Sequence, residues 1–264
     1  MEVQTDLNSG TKILWPQLDS VMQSYATANK PSWRHSAFNP PANGGEFGAG
    51  VLNMSPGWFQ LLQDVSLLLA EINHDFGLLV HCQQLDKELY VSSHTRTDEA
   101  ADFLKVTTSL DVMCNAITAL IGPQQYDAGL EAICLLKSGS HLHDTHPNLD
   151  YWGSVWSGFA IIVNRSTFTH RDTGAAPADY DLLVSSGTHK QCTLDVHDLG
   201  LKLSYPPGTG VAVAGKVLRH GVKGWEGGER ICQARFMKDA VHDRLGQPRP
   251  NWVCHEDYIN LTSK

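Results

Sequence analysis

The sequence is short of positive charge and of charged residues in general. Across 264 residues, Lys and Arg number 20 against 28 Asp and Glu, so the formal net charge at pH 7 is -8. This balance argues against a protein that coats nucleic acid non-specifically, because neutralising phosphates takes clustered Lys and Arg. A local basic groove is still compatible with it. The 18% charged and 8% aromatic residues also exclude a disordered or coiled-coil chain.

Paired cysteines and long apolar runs are also absent. The six cysteines form no CxxC pair and no Cys-His spacing typical of a zinc site, which predicts reduced thiols, mostly in the core of an intracellular protein. No secretory signal is visible, and no apolar stretch is long enough to span a membrane. We therefore expect a soluble cytosolic or nuclear protein. The cysteines are Cys82, Cys114, Cys134, Cys192, Cys232 and Cys254.

The predicted secondary structure changes after about residue 150, from mainly helices to mainly strands. Residues 31–57, rich in Gly, Pro and Asn, predict a long surface loop. Apolar periodicity predicts helices over 56–77, 98–120 and 127–137. We expect one domain, with the loop and helices over about 1–149, a strand-rich core over about 150–245 and a C-terminal extension over 246–264.

Short runs rich in β-branched and aromatic residues follow, separated by Gly and Pro. Such spacing is typical of a sandwich or barrel of the jelly-roll kind, and helices followed by antiparallel strands predict an α+β fold. The runs are GFAIIVNRST (158–167), DLLVSS (181–186), LKLSYP (201–206), VAVAGKVLRH (211–220) and ERICQARFMK (229–238).

Two histidines and a carboxylate stand where they could hold a metal. His170 and Asp172 follow the predicted strand 158–167 on the same side, and His220 closes the run 211–220. Two His and one carboxylate on one face of an octahedron hold Fe(II) and leave three positions open. An HxD triplet alone is weak, and a plain surface turn is the alternative. Rival clusters are His255-Glu256-Asp257, Asp195-Val196-His197, and the group of His141, His143, Asp144 and His146.

An arginine near the last strand could bind a cosubstrate. A 2-oxo acid on iron has a far carboxylate, which the fork of Arg230 or Arg235 would neutralise with two charge-assisted bonds. A hairpin at Gly227-Gly228 leaves both registers open, but length favours Arg230 because an Arg opposite His220 would be crowded. Phe236 then shares the face of Arg230 and could stack on a planar substrate, a core aromatic being the alternative.

The segments NRSTFTHRD, LRHGV and GERICQARFMKD together resemble the TET/JBP family of Fe(II)/2-oxoglutarate-dependent nucleobase dioxygenases, within it the compact fungal, mushroom-type TET proteins. The resemblance covers about 150–245. It implies a double-stranded β-helix (jelly-roll) core with supporting N-terminal helices, Fe(II) and 2-oxoglutarate as cofactors, and O₂ as co-substrate. It also implies methyl oxidation on a base flipped out of double-stranded methylated DNA, in the nucleus. The residues implied are His170, Asp172 and His220 for iron, Arg230 and Arg165 for 2-oxoglutarate, and Phe236 for the base.

Two positions depart from the family pattern for reading cytosine. Ala175 stands where relatives have Asn or Asp, and Lys238 stands where they have His. Asp179 or Asp239 could replace the missing acceptor, so we expect 5-methylcytosine and also the larger N6-methyladenine as substrates.

Cations near the predicted site reconcile the acidic chain with a polyanionic substrate, and they predict modest, salt-sensitive DNA affinity. The loop with Lys30, Arg34 and His35 is either a wall for DNA or a plain mobile loop. The alternatives left open are an oxygenase of a small molecule or a protein, and a silent binding module of the same fold. The cations are Arg165, Arg171, Lys190, Lys202, Lys216, Arg219, Lys223, Arg230, Arg235 and Lys238.

Overall fold

Helices and antiparallel strands occupy separate parts of the structure, a computed structural model that describes residues 50–57, 89, 91–92, 95–138, 146–254 and 256–257. The helices are α1 (Asp98–Val106), α2 (Thr108–Ile121), α3 (Pro123–Ser138) and α4 (Asp239–Leu245), with short 3₁₀ turns at Pro147–Tyr151 and His197–Leu199. The strands are β1 (Gly50–Met54), β2 (Gly158–Val163), β3 (Thr167–His170), β4 (Asp181–Gly187), β5 (Thr193–Val196), β6 (Leu201–Ser204), β7 (Gly210–Val213), β8 (His220–Val222) and β9 (Arg230–Phe236).

The predicted single helix over 98–120 is two helices in the structure. Thr97 caps α1 by accepting a hydrogen bond from the Ala100 N–H. The Thr107 hydroxyl donates to carbonyls of α1, and the chain bends by 59° between α1 and α2. The third predicted helix starts earlier than expected, at Pro123. Within the described ranges no single helix is long and apolar enough to cross a membrane, and α1 with α2 reaches that size only as a bent pair.

Two antiparallel sheets form the jelly-roll core, which confirms the predicted fold class. The larger sheet has the order β1-β2-β9-β4-β7, and the smaller has the order β3-β8-β5-β6. Strands that are neighbours in a sheet are far apart in the chain, as β2 and β9 are. This arrangement brings the ends of distant strands together at one site.

Several strand predictions were wrong in their bounds. The run 158–167 is divided by Asn164, whose φ of 47° interrupts the extended backbone, so that β3 starts only at Thr167. The run 211–220 is likewise two strands, β7 and β8, and His220 begins β8 rather than ending a strand. Part of the predicted loop, Gly50–Met54, is strand β1, and β5 was not predicted. The predicted helix 56–77 lies outside the described residues from position 58.

The predicted hairpin at Gly227-Gly228 does not form. Its two strands belong to different sheets, since β8 pairs with β3 and β5, whereas β9 pairs with β2 and β4. Arg230 therefore faces Gly187 across the sheet and is not in register with His220. Both glycines have positive φ and carry the chain from one sheet to the other.

Hydrophobic packing covers both faces of the larger sheet. On the outer face, residues of β1, β2 and β9 pack against the helices, with Trp152 stacked on Phe159 at a centroid distance of 5.0 Å. On the inner face, residues of both sheets meet, among them Leu183, Tyr205 and Cys232. No disulfide joins the five cysteines that the structure describes, and Cys82 lies outside them.

Candidate active site

The predicted metal ligands meet at one end of the jelly roll. His170 ends β3 and His220 begins β8, and the two are directly paired in the smaller sheet. Asp172 follows two residues after β3, with its oxygens 3.4 Å from the Nε2 atom of each histidine. One possible ligand atom from each residue lies within 4.8 Å of the others. This is the one such group of His, Cys, Asp and Glu among the described residues.

The backbone sets which nitrogen of each histidine faces the cluster. Nδ1 of His170 lies 2.9 Å from the carbonyl oxygen of Phe168, and Nδ1 of His220 lies 3.1 Å from that of Leu218. A carbonyl oxygen can only accept, so each Nδ1 carries a hydrogen, and in the neutral ring Nε2 keeps a lone pair. Both lone pairs are therefore available to a metal, in the manner usual for ligating histidines.

Electrostatics favour a charged carboxylate at Asp172. Burial by itself would raise the pKa of Asp172, but the hydrogen bond from His170 and the nearby His220 lower it overall. The same contact with Asp172 raises the pKa of His170. A cation bound at this cluster would replace the proton that His170 shares with Asp172.

Two residues that the sequence did not single out, Gly215 and Asp181, lie next to Asp172. The Asp172 N–H donates to the carbonyl oxygen of Gly215 at 2.9 Å. A Cβ at Gly215 would lie 2.5 Å from Asp172 Oδ2 and 2.1 Å from Asp181 Oδ2, so only glycine fits there. Burial and the neighbouring Asp172 raise the pKa of Asp181 well above its ordinary value. In the sequence, Asp181 was marked only by being a carboxylate at the start of an apolar run.

Arg230 is a buried cation on the inner face of the larger sheet. Its side chain lies near Trp225 and Cys192, and its residue surface is 2% exposed. Among the described residues no carboxylate lies within ion-pair distance, and Nε has no hydrogen-bond partner. An unpaired buried charge is costly, so a guanidinium in this setting fits an anion that binds from outside the chain. The site thus suits the carboxylate of 2-oxoglutarate.

Asn164 fastens the start of β9 and was not predicted. Its Oδ1 accepts from the Arg230 N–H at 2.9 Å, its own N–H donates to the Arg230 carbonyl oxygen, and its Nδ2 donates to the buried Glu229. The Arg165 carbonyl accepts a hydrogen bond from Arg230 Nη1 at 2.8 Å. The backbone carbonyl of Arg165 thus contacts Arg230, and the role of Arg165 toward 2-oxoglutarate stays a prediction.

Phe236 and Lys238 lie beside the loop that follows Asp172. The ring of Phe236 lies over Gly158, its register partner on β2, and is half-buried. The Lys238 ammonium lies 5.1 Å from the centroid of that ring and closely approaches Gly174. A planar ring and a hydrogen-bond donor are therefore together near the metal ligands.

The remaining predicted substrate residues occupy the same loop region. Ala175 is buried, and the buried Asp179 accepts the Ala176 N–H at 3.0 Å. Burial raises the pKa of Asp179 to about 6. Asp239 donates its N–H to the Gly174 carbonyl oxygen, while its carboxylate pairs with Arg249 and lines an outer cavity of about 580 Å³. Their roles toward a substrate stay predictions.

The rival metal clusters do not form within the described residues. Asp195 pairs with Lys223 at 3.8 Å, and His197 is exposed. Asp257 accepts hydrogen bonds from Gln124 and from the Cys254 N–H. His255 and the group from His141 to Asp144 lie outside the residues that the structure describes.

A protein-family model matches the part of the chain that contains this site. The sequence model of Tet_JBP, described as the oxygenase domain of the 2OGFeDO superfamily, matches residues 86–239 and so more than half of the chain. No curated protein matches. A solved structure, "NgTET1 in complex with 5mC DNA", aligns with a TM-score of 0.46 and 13% identity, over 69% of this chain and 66% of that one. The chain thus spans just under two thirds of that protein's length.

The family match and the His-Asp-His cluster give the same cofactors, Fe(II) and 2-oxoglutarate. Among the predicted features, the family and the α+β jelly-roll class are thereby confirmed. This chain belongs to the Tet_JBP family and is a 2-oxoglutarate- and Fe(II)-dependent dioxygenase.

Proposed function

We propose that the chain oxidises the methyl group of a methylated base in double-stranded DNA, with 5-methylcytosine and N6-methyladenine as substrates. His170, Asp172 and His220 would hold Fe(II), and Arg230 with Arg165 would hold 2-oxoglutarate. When bound, these groups supply the O₂-dependent oxidation of a C–H bond. The convergent ligand atoms and the family match support this part of the proposal.

Arg230 would orient 2-oxoglutarate through its far carboxylate. A guanidinium fork forms two parallel charge-assisted hydrogen bonds with a carboxylate, and the Nε of Arg230 is available as one donor. Because Arg230 is buried, this contact would form away from water, where attraction between charges is stronger. The cosubstrate would therefore take a single orientation toward the metal ligands.

The ring of Phe236 is the observation that carries the DNA part of the proposal. A methyl group inside a stacked duplex cannot reach a buried site, so the nucleotide must be turned out and held there. Phe236 shares the inner face of β9 with Arg230, and an aromatic ring is a stacking platform for a base. The ammonium of Lys238 beside the ring can donate to a carbonyl oxygen or ring nitrogen of that base.

Small residues and one carboxylate after Asp172 support acceptance of a purine as well. Gly174, Ala175 and Ala176 present little side-chain bulk, which leaves room for a larger base. Asp179 would accept a hydrogen bond from the exocyclic amine, since the Ala176 N–H already orients its carboxylate. Above its pKa of about 6, Asp179 is an acceptor only.

Mass spectrometry of nucleosides tests this proposal. Duplexes that carry 5-methylcytosine or N6-methyladenine are incubated with the chain, Fe(II), 2-oxoglutarate and O₂, and oxidised nucleosides are measured. We expect both bases to be oxidised, and Asp172→Ala to abolish turnover while its circular dichroism stays that of a folded protein. Activity retained by Asp172→Ala would reject the ligand assignment.

The same assay distinguishes the alternatives. Oxidation of methylcytosine alone would reject the N6-methyladenine part. Succinate production without change in either base would favour an oxygenase of a small molecule or a protein. Absence of succinate under all conditions, with DNA binding retained, would favour a silent binding module.

A further inference from the structure

Phe168 is an exposed aromatic residue beside the metal ligands. It lies on β3, an edge strand of the smaller sheet, and 69% of its surface is exposed. Its ring centroid is 5.6 Å from that of His170, which is two residues further along the chain. The ring of Phe168 belongs to none of the buried hydrophobic clusters, and it is not a metal ligand. A single exposed aromatic residue is common on protein surfaces, so its meaning here depends on the charged groups around it.

Two arginines beside the same ligands are held in fixed positions. Arg171, between the ligands His170 and Asp172, donates from Nε to the Val217 carbonyl at 2.7 Å and lies 3.1 Å from Asp198. Arg219, next to His220, donates from Nε to Asp198 at 2.7 Å.

Asp198 anchors the two arginines without covering them. Its hydrogen bonds with Arg219, together with the charge of Arg171, lower the pKa of Asp198 to about 2, so it is ionised at neutral pH. About half of the Arg171 side chain and 44% of that of Arg219 remain exposed. Lys216, which donates to the Thr173 carbonyl, adds a third cation. The local charge is thus positive, although the whole chain carries -8.

We propose that Phe168, Val217, Arg171 and Arg219, here called the site rim, bind the DNA strand that carries the target nucleotide. Phe168 stacks on a base of the locally opened strand, and the two arginines, which Asp198 holds together, contact neighbouring phosphates of that strand. This inference rests on the proposed function, because it supplies the surface that holds the strand while one base is turned out.

The composition of the site rim matches this partner. Proteins that hold unpaired strands combine aromatic rings, which stack on any base, with cations that follow the backbone. Val217 is 40% exposed, and its backbone carbonyl accepts a hydrogen bond from Arg171, so its side chain is an exposed apolar group next to this arginine. A small-molecule substrate would need the metal site but not exposed cations outside it.

Binding of DNA by the holoenzyme tests the site rim. Fluorescence anisotropy is measured without O₂, with Fe(II) and 2-oxoglutarate present, on a labelled duplex with one 5-methylcytosine at several salt concentrations. We expect Phe168→Ala to weaken binding about tenfold, by loss of one stacking contact. In Arg171→Gln/Arg219→Gln, the slope of log affinity against log salt should fall by about two, roughly one per phosphate contact.

Matched variants separate the site rim from general surface effects. Leu120→Ala removes an exposed apolar side chain of α2, and Lys105→Gln removes an exposed cation paired with Asp102 on α1. Both should bind as the wild type does. Phe168→Leu keeps apolar bulk but lacks a ring, and it should bind nearly as weakly as Phe168→Ala. Thermal unfolding checks that each variant is folded.

The measurements distinguish an error in the site-rim proposal from an error in the proposed function. Wild-type affinity in Phe168→Ala, or an unchanged salt slope in the double arginine variant, would overturn the site rim while wild-type oxidation of the duplex still stands. If the wild type neither binds nor oxidises methylated DNA, both proposals are overturned.

Discussion

Strand β9 carries two buried arginines whose surroundings differ completely. Arg230 and Arg235 are five residues apart, so their side chains point to opposite faces of the larger sheet. Arg235, on the helix side, lies 2.6 Å from the equally buried Asp111 of α2 and donates to Ser154 and Gln233. Arg230, on the inner side, has no carboxylate partner among the described residues.

We infer that the difference separates a structural cation from one that binds the cosubstrate. A buried charge needs a counter-charge, and a fold that supplies it from its own chain uses the pair to join elements, here β9 and α2. Where the chain supplies no counter-charge, a bound anion can supply it. Both arginines are buried, so the two roles are distinguished by whether the chain supplies a counter-charge. Phe159, 5.3 Å from the Arg235 guanidinium, also belongs to the helix side.

Removing the partner of Arg235 should have the largest effect on stability. In Asp111→Ala the guanidinium stays buried without a counter-charge, and we expect the free energy of unfolding to fall by about 3–5 kcal/mol. Urea denaturation followed by circular dichroism measures this. The double variant Asp111→Leu/Arg235→Met removes both charges and should recover most of the loss. Equal instability of the single and double variants would show that the pair is not the cause.

The helix side also buries a histidine in its neutral form. His242 of α4 is 3% exposed, and no described residue is within hydrogen-bond distance of either ring nitrogen. Burial, helped by the charge of Arg249, lowers its pKa from 6.5 to about 4.

Lowering the pH should therefore destabilise the native protein through His242. Because the folded pKa is below the unfolded value, this contribution is complete above pH 6.5 and is lost as the pH falls toward 4. We expect a loss on the order of 3 kcal/mol. Urea denaturation of wild type and His242→Leu over this range gives the difference, since the variant lacks this slope. Parallel pH profiles of the two proteins would contradict the assignment.

Removing Arg230 should have the smallest effect on stability and a specific effect on cosubstrate binding. In Arg230→Met an unpaired buried charge disappears, so the free energy of unfolding without 2-oxoglutarate should stay the same or rise. Affinity for 2-oxoglutarate should fall about a hundredfold, with the loss of a bidentate charged contact. Calorimetric titration of the Fe(II)-loaded protein without O₂ measures it. Unchanged affinity would remove Arg230 from the cosubstrate site.

Much of the candidate site could be predicted from local residue patterns. The spacing of His170 and Asp172 is local, so the triplet pointed to a metal wherever its strand lay. Phe236 is six residues after Arg230, and side chains alternate along a strand, so both were predicted on the same face of β9. This prediction does not depend on which strands are paired with β9. Asp98 was correctly placed at the start of a helix, since Thr97 and its neighbours form a local cap.

Features that depend on pairing between distant segments could not be predicted. The helix break at Thr107 and the strand break at Asn164 occur inside apolar runs, where periodicity alone gives no boundary. Asn164 adopts its positive φ because its side chain bonds to Arg230 and Glu229, 66 and 65 residues away. The hairpin at Gly227-Gly228 was wrong because turn residues do not show which sheet each strand joins.

The sequence by itself determined which groups this protein offers for the predicted chemistry: two histidines with a carboxylate, an arginine fork, an aromatic ring, and cations near that site in an acidic chain. These follow from residue identity and short-range alternation. The tertiary structure decided that His220 begins a strand opposite His170, that Asp111 neutralises Arg235 but nothing described neutralises Arg230, and that Phe168 is exposed. Such facts arise from strand order and packing across dozens of residues, which local patterns leave open.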